Sequence, residues 1–340
     1  MGWEGEAFSQ SLLDWLVAQT GADGVHLEPP SLLPGGAVQQ NWALDVTFYG
    51  GHLPGRHELV LRTNFQTPLL ASRLKAVEFA VLCAVAEAGV TVPEPLWPCE
   101  DTAVIGQPFF VMRRLTGDSA ARPLVANAKL DSFGSALAEQ LARELALVHT
   151  LSPSDTRLVT LGKPAESSGL TQIAQWRQWL RNLASDSHVL LGVLDWLARH
   201  VPCQERVCLV HRDFRTGNFL VNEGKLTAIL DWEFSGWGDP FEDIGWFCAA
   251  CWRAGGDGLE AGGLASRDVF YRAYEAAGGG LVDVDAVAYW EVMAHVRWAI
   301  IARQQGVRAA HGDAPQHELL EAAARVPGLE RDIATMIVAA

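Results

Sequence analysis

Positive charge is scarce in this chain of 340 residues. It holds 26 Lys and Arg against 40 Asp and Glu, for a formal net charge of −14. Nucleic acid needs a basic face for its phosphates, and an anionic membrane surface needs one too, so neither is an expected partner. A deficit of this sign would steer cations inward at long range. Long apolar runs are missing as well: none approaches the roughly 20 residues that a membrane-spanning helix requires. The opening Met1-Gly2-Trp3-Glu4-Gly5-Glu6 lacks the basic start of a secretory signal, and Glu6 breaks the myristoylation pattern. The expectation is a cytoplasmic protein. The cysteines (Cys83, Cys99, Cys203, Cys208, Cys248 and Cys251) fit no standard zinc module. Cys248-Ala-Ala-Cys251 lies in an apolar, helical-looking segment, so reduced thiols are expected there.

What is present is apolar material, 49% of the chain, with 13 Trp. That supports a large core and a division into two lobes. Residues 9–19 carry the apolar spacing of a helix. Trp42, Leu44, Val46 and Phe48 alternate as in a half-buried strand, and residues 57–63 repeat the pattern with Leu59 and Leu61 on one side. Gly50-Gly51-His52-Leu53-Pro54-Gly55 between them is turn chemistry, so the pair reads as a hairpin. Residues 72–88 predict a helix that Gly89 and Pro93 stop. Val104-Ile105 and 109–112 predict a further strand pair. After Gly117 the pattern turns helical, over 131–149, 171–183, 189–200, 241–253, 267–277 and 285–304, and 255–263 reads as a solvated Gly-rich connector. The expected fold is α+β and bilobal. A small antiparallel sheet with one main helix occupies residues 1–115, a hinge lies at about 112–118, and a mostly helical lobe takes 119–340.

The chemistry concentrates in Val210-His211-Arg212-Asp213-Phe214-Arg215-Thr216-Gly217-Asn218, followed by Asp231-Trp232-Glu233. Phe219-Leu220-Val221 and Leu226-Thr227-Ala228-Ile229-Leu230 flank Asn222-Glu223-Gly224-Lys225, a hairpin turn sequence. Counting outward from the turn sets Asn218 and Asp231 within a register step of each other. An amide oxygen and a carboxylate so placed suit Mg²⁺, which takes few protein ligands and leaves the rest to water and phosphates. Asp213 is then the candidate base for an acceptor hydroxyl. His211 is expected to buttress the loop, and Arg215 to touch either a phosphate or a neighbouring acid. Glu78 falls one turn from both Leu74 and Leu82 on an apolar helix face, where a carboxylate needs a cation, and Arg62 on the adjacent strand is the natural partner. Gly35-Gly36 could cradle phosphates through backbone N–H groups.

These marks, with Leu59-Val60-Leu61-Arg62, Gly106-Gln107-Pro108-Phe109-Phe110-Val111-Met112 and Gly238-Asp239-Pro240-Phe241-Glu242-Asp243, resemble the aminoglycoside phosphotransferase and choline kinase superfamily. The likeness runs over residues 25–305. It is strongest to the branch with an HxDFRxGN loop and a DWE triplet, which includes the kinase-like domain fused to some acyl-CoA dehydrogenases. The resemblance implies a protein-kinase-like fold and transfer of the γ-phosphoryl group of ATP (or GTP) to a small-molecule hydroxyl with Mg²⁺. It implies Asp213 as base, Asn218 and Asp231 on the metal with Glu233 in support, and Arg62 and Glu78 orienting phosphates. The 112–115 backbone, with Met112 and Arg114, would bind adenine. Asp239 and Asp243 would brace the helical lobe. Position 62 is Arg where many relatives carry Lys, and position 212 is Arg where many small-molecule kinases have Gly. Eight positions separate Asp231 from Asp239. That leaves no room for a peptide-binding activation segment, so a protein substrate is disfavoured.

Acceptor choice is expected from the helical lobe, with Trp237, Trp246, Trp290, Arg297 and Trp298 as candidates. An aminoglycoside would need clustered acids. A choline-like amine would need an aromatic–acid cage, and a hydroxyacyl thioester would need bases such as Arg113, Arg114 and Arg122. Two further classes compete: a catalytically silent nucleotide-binding module, which predicts a broken base or metal set, and a metal-dependent hydrolase on His211, Asp213 and Asp231, which predicts further His ligands.

Overall fold

In the computed structural model, which describes residues 6–33, 39–64, 73–128, 133–183, 187–203, 206–256, 258–312 and 316–339, the two alternating segments form the centre of a sheet. Helix α1 (Glu6–Thr20) leads into β1 (Gly24–Leu27), β2 (Ser31–Leu32), β3 (Gln39–Tyr49) and β4 (Gly55–Asn64), and the sheet is completed by β5 (Pro95–Cys99) and β6 (Phe109–Arg113). The order is β1-β3-β4-β6-β5, with β2 on β3, all antiparallel. Period-two alternation gives β4 two different faces. Leu59 and Leu61 join Leu44, Val46 and Phe48 against Leu12 and Leu16 of α1. Val60 packs the other way, with Val81, Leu82 and Val85 of α2 (Lys75–Glu87). The sheet therefore carries a helix on each face, where the sequence suggested one. Leu74 is not part of the apolar stripe: it is the residue before α2 and is 77% exposed. Each fully buried Leu at such a face stabilises by about 1.5–3 kcal/mol.

Val104 and Ile105 are not a strand. They lie in a helical turn, α3 (Thr102–Ile105), because the Asp101 side chain accepts from the Ala103 N–H at 2.8 Å and Gly106, at φ +84°, ends the turn. The strand beside β6 is β5, whose Pro95 and Pro98 are tolerated on a sheet edge.

The remainder holds α4 (Ala121–Ala128), α5 (Phe133–Val148), α6 (Ser168–Asn182), α7 (His188–Arg199), α8 (Phe241–Cys248), α9 (Arg267–Ala276), α10 (Val284–Ala310), α11 (Gln316–Ala324) and α12 (Val326–Ala339). The apolar column Leu137, Leu141, Leu145 and Val148 of α5 joins the same core as α2. Helix α8 stops at Cys248 and yields to a tight turn over Ala250–Trp252, earlier than the periodicity suggested. Helix α10 runs past 304, and α11 and α12 lie beyond the helices read from the pattern. The segment around Gly262 is not a solvated connector. Ala261, Leu264 and Ala265 are buried, the Gly262 carbonyl accepts from Thr216 Oγ1 at 2.7 Å, and a Cβ at Gly262 would meet the Phe247 ring at 2.2 Å.

Two small ribbons sit among the helices. β7 (Cys208–Val210) pairs with β10 (Gly236–Gly238), and β8 (Phe219–Asn222) pairs with β9 (Lys225–Ile229). The second is the predicted hairpin. Glu223 and Gly224 both take positive φ, +48° and +79°, the sense that matches strand twist in a two-residue turn. Among the described residues, no helix is long and apolar enough to cross a membrane.

Candidate active site

The two ribbons aim the acidic loop at a cavity of about 1090 Å³ between the sheet and the helices. Beyond the hairpin's last pair, Phe219↔Ile229, the Leu230 N–H donates to the Asn218 carbonyl at 2.8 Å. Asn218 and Asp231 are therefore one register step apart, as the count outward from the turn gave. Asp231 itself has φ +64° and ψ +59°, and Arg212 has φ +64°. Left-handed backbone at a non-glycine residue costs free energy that surrounding contacts must offset, and it recurs at functional sites.

Those contacts are specific. Asp243 at the start of α8 accepts from the His211 N–H at 2.7 Å and from the Arg212 N–H at 2.6 Å. The His211 ring accepts the Asp213 N–H at Nδ1, 3.1 Å, so Nε2 carries the proton and donates to the Leu230 carbonyl at 2.8 Å. His211 is thus a buttress. Arg212 turns away from the cavity onto Glu242 at 3.0 Å and the Trp237 carbonyl at 2.7 Å. Asp239, just ahead of α8, accepts from the Phe241 N–H at 2.9 Å.

Asp213 is 8% exposed and is held on both oxygens. Oδ1 accepts from Arg215 Nε and Trp246 Nε1, each at 3.0 Å, and Oδ2 accepts from Asn218 Nδ2 at 2.6 Å. The Asn218 amide also donates to the Asp213 carbonyl at 2.9 Å, which leaves its oxygen as the free end. Arg215 pairs with the neighbouring acid, one of the two options its position allowed, and lies 4.5 Å over the Trp252 ring.

On the sheet side, Arg62 Nε bonds Glu78 Oε1 at 2.7 Å. Its Nη1 reaches Asp231 Oδ1 at 2.8 Å and Asn41 Oδ1 at 3.2 Å, while Nη2 is buried without a partner among the described residues. Lys75, which sequence reasoning passed over, places Nζ 2.6 Å from Glu78 Oε2. Burial opposes every charge here. For Arg62 the carboxylates Glu78 and Asp231 more than offset it and raise its pKa. Burial lowers the Lys75 pKa despite Glu78. Glu78 and Asp231 stay below the usual carboxylate range because Arg62 and its neighbours outweigh their desolvation. Glu233 differs: burial pushes it up to about 7, and its Oε2 accepts from Gln39 at 2.7 Å.

Met112 is buried in β6 and lines the cavity with Arg114 and Leu115. The N–H groups of Arg113 and Arg114 are already bonded to the carbonyls of Glu94 and Glu58, and the Arg114 guanidinium lies on Asp45 at 2.7 Å and Glu58 at 3.1 Å. Gly35 and Gly36 lie outside the described residues. Trp246, Arg297 and Trp298 line the cavity, as does Arg122; Trp237 and Trp290 belong to the packed core. Among the described residues, no group of three or more His, Cys, Asp or Glu side chains could hold a metal ion. A site completed by the Asn218 amide is of another kind.

The phosphotransferase enzyme family matches residues 32–292. The chain belongs to this family. Similar curated relatives are acyl-CoA dehydrogenase family member 10 of Mus musculus, 33% identical over 201 residues, and family member 11 of Gallus gallus, 32% identical over 227. The matches take in 57% and 62% of this chain but 18% and 29% of those proteins, so the chain spans under a third of their length. Among solved structures, a putative aminoglycoside phosphotransferase from Ralstonia eutropha superposes with a TM-score of 0.72 at 22% identity, covering 96% of this chain and 97% of that one. The aminoglycoside phosphotransferase APH(4)-Ia, in a ternary complex with AMP-PNP and hygromycin B, gives 0.63 at 18%, covering 96% and 98%. These structures share the fold of this family member, a bilobal α+β kinase-like fold.

Proposed function

We propose that this phosphotransferase-family protein transfers the terminal phosphoryl group of ATP, or GTP, to the hydroxyl of a small molecule, with Asp213 as the base. The observation that carries the reading is Asp213 itself: buried, gripped on both oxygens, and lining the same cavity as Asp231 and Arg62. Transfer of this kind depends on positioning and charge stabilisation more than on base strength. The acceptor O–H donates to Asp213, its oxygen attacks the terminal phosphorus in line, the bond to the leaving diphosphate breaks, and the proton remains on the carboxylate.

Arg62, aimed by Glu78, offers its unpartnered Nη2 to phosphate oxygens. The donor set fits Mg²⁺: the Asn218 oxygen and the Asp231 carboxylate are hard oxygen ligands whose partners leave coordination capacity. When bound, the ion would neutralise phosphate charge. Glu233, drawn toward its neutral form and tied to Gln39, suits a supporting position behind these two. Nucleotide would lie along the 112–118 hinge, between residues 1–115 and 119–340. The acyl-CoA dehydrogenase relatives and the hygromycin B complex make either a metabolite or an antibiotic a candidate acceptor class.

The test is release of ADP or GDP across hydroxylated metabolites and aminoglycosides, with Asp213→Asn as control. Loss of a positioned base is expected to cost about 10²–10⁴-fold in kcat. Turnover within tenfold of the parent would remove Asp213 from its role. One observation favours a second reading, a silent nucleotide-binding module: Arg62 already occupies a carboxylate oxygen of Asp231. Tight nucleotide binding with no turnover of any acceptor would support it.

A further inference from the structure

Beyond Asp213 the cavity continues into an aromatic chamber. Trp246 lies 5.2 Å from Trp252, and Trp252 lies 4.8 Å from Trp298, ring centre to ring centre. Arg297 of α10 stands among them, 4.7 Å over Trp246 and 4.9 Å over Phe234. It is 7% exposed, and its hydrogen bond goes to the backbone carbonyl of Arg212. Among the described residues, no carboxylate approaches its guanidinium within 4.0 Å, although Asp213, Glu242 and Asp243 act on it from farther away, against Arg212. A buried charge is ordinarily paired, and leaving one bare is costly. Burial accordingly pulls Arg297 down to about 10. The indole Nε1 groups of Trp252 and Trp298 are also buried without a partner among the described residues. Buried donors of this kind are usually satisfied by protein, water or ligand.

A guanidinium without a carboxylate and two unspent N–H donors ask for the same thing, an anion rich in acceptor oxygens. The aromatic walls ask for an apolar body. A polycationic acceptor finds the opposite. Asp213 is engaged three times over, and Glu318 and Glu321, which also line the cavity, are exposed on α11.

Resting on the phosphotransfer reading, we propose that the acceptor is a hydroxy carboxylate with an apolar body, its hydroxyl at Asp213 and its carboxylate read by Arg297 with the indoles of Trp252 and Trp298. Arg215, over Trp252 and beside Asp213, stands between the two ends of such a molecule.

The experiment uses the full chain loaded with Mg²⁺ and a non-hydrolysable ATP analogue. Hydroxy carboxylates with phenyl, cyclohexyl and linear alkyl bodies are titrated by calorimetry, each beside its carboxamide and its amine. Carboxylates are expected to bind about ten- to a hundredfold more tightly than their amides, the scale of a charge-assisted contact, and amines not at all. Arg297→Gln should bring the carboxylate-to-amide ratio near one. Trp298→Phe, which keeps the ring and deletes the N–H, should lower that ratio severalfold, and it serves if the first variant does not fold. Amides or amines binding as well as carboxylates, no binding by any carboxylate, or a ratio unmoved in both variants would overturn the proposal. A parallel turnover assay with ATP separates the two readings. Carboxylates that bind selectively but are never phosphorylated sink phosphotransfer and leave only the carboxylate-binding site standing. Phosphorylated amines do the reverse.

Discussion

Replacing Glu78 by Gln removes the one carboxylate shared by two buried cations. Side-chain exposure is 5% for Arg62, 1% for Lys75 and 2% for Glu78, so water can supply little compensation. The two cations fare differently. Arg62 keeps Asp231 at 2.8 Å, whereas no second carboxylate is within 4.0 Å of Lys75 among the described residues. Lys75 is therefore the group left bare. Removing one partner of a buried pair costs about 3–5 kcal/mol, and the retained Arg62 contact places this case near 3. Urea unfolding followed by Trp fluorescence reads that loss directly. The mechanism makes two further demands. The double variant Lys75→Met, Glu78→Gln should recover about 1–3 kcal/mol over the single variant, because the bare charge is gone. The deficit of the single variant should also shrink at alkaline pH. A Lys whose folded pKa is depressed destabilises below that value and ceases to do so once the unfolded state has lost its proton too. A Glu78→Gln loss under about 1 kcal/mol, or a double variant no better than the single, would refute this account of a carboxylate held between two cations.

Trp246→Phe deletes the N–H that holds Asp213 Oδ1 at 3.0 Å while keeping an aromatic ring. It should lower kcat by about ten- to a hundredfold, since a hydrogen bond to a charged carboxylate is worth about 1.5–3 kcal/mol, with nucleotide KM little changed. Steady-state kinetics with varied ATP check it, and a raised nucleotide KM at unchanged kcat would count against it. Asp239, just ahead of α8, is pushed by burial from an ordinary 3.8 up to about 6. Its raised folded pKa means the native state holds the proton more tightly, so its contribution to stability falls as pH rises between those values. The loss reaches up to about 3 kcal/mol and is constant above them. Unfolding midpoints of Asp239→Asn should therefore show less decline across that window than the parent, and parallel profiles would dismiss the effect. Ala at Gly224, where φ is +79° and the Phe133 ring lies 3.6 Å from the new Cβ, should cost about 1 kcal/mol through backbone strain alone, measured by thermal unfolding.

Much of the site was legible because its constraints are local. Glu223-Gly224 between two alternating segments fixes a two-residue turn, and counting outward puts Asn218 and Asp231 at one end of the ribbon. A carboxylate at an apolar helical position must find a cation, and Arg62 was the cation on the next strand. What escaped the reading depends on contacts between distant segments. Lys75 sits at a helix start that periodicity placed at 72, so nothing marked its side chain as buried. Trp246 and Arg297 were candidates for acceptor choice, but they come from α8 and α10, and no spacing rule brings an indole N–H to Asp213. β5 was not read from the pattern; it carries Pro95 and Pro98, which an edge strand tolerates. Val104 and Ile105 have the composition of a strand, and one aspartate and one glycine override it.

Arg62 is where the fold and the chemistry pull against each other. Its Nε and Nη1 tie a carboxylate of α2 to Asp231, so in the absence of nucleotide the guanidinium acts as a strut across the cleft. A lysine would have to serve both carboxylates from one nitrogen, whereas the guanidinium fork reaches each from a nitrogen of its own. Lys75 then takes the other Glu78 oxygen and balances the charge that this spanning draws onto one carboxylate. The strut has a consequence for the proposed phosphotransfer. A metal drawn to Asp231 Oδ1 would share or displace the Nη1 contact, and the free Nη2 is the donor that would compensate by turning to phosphate. Metal and nucleotide should therefore bind with positive coupling in this protein. Either alone loses part of the Arg62–Asp231 bond, and together they replace it. Calorimetric titration of nucleotide with and without Mg²⁺ measures that coupling in the parent. In Arg62→Lys, where the fork is gone, the coupling should fall. Equal coupling in both would mean that the contact between Arg62 and Asp231 is structural and takes no part in binding.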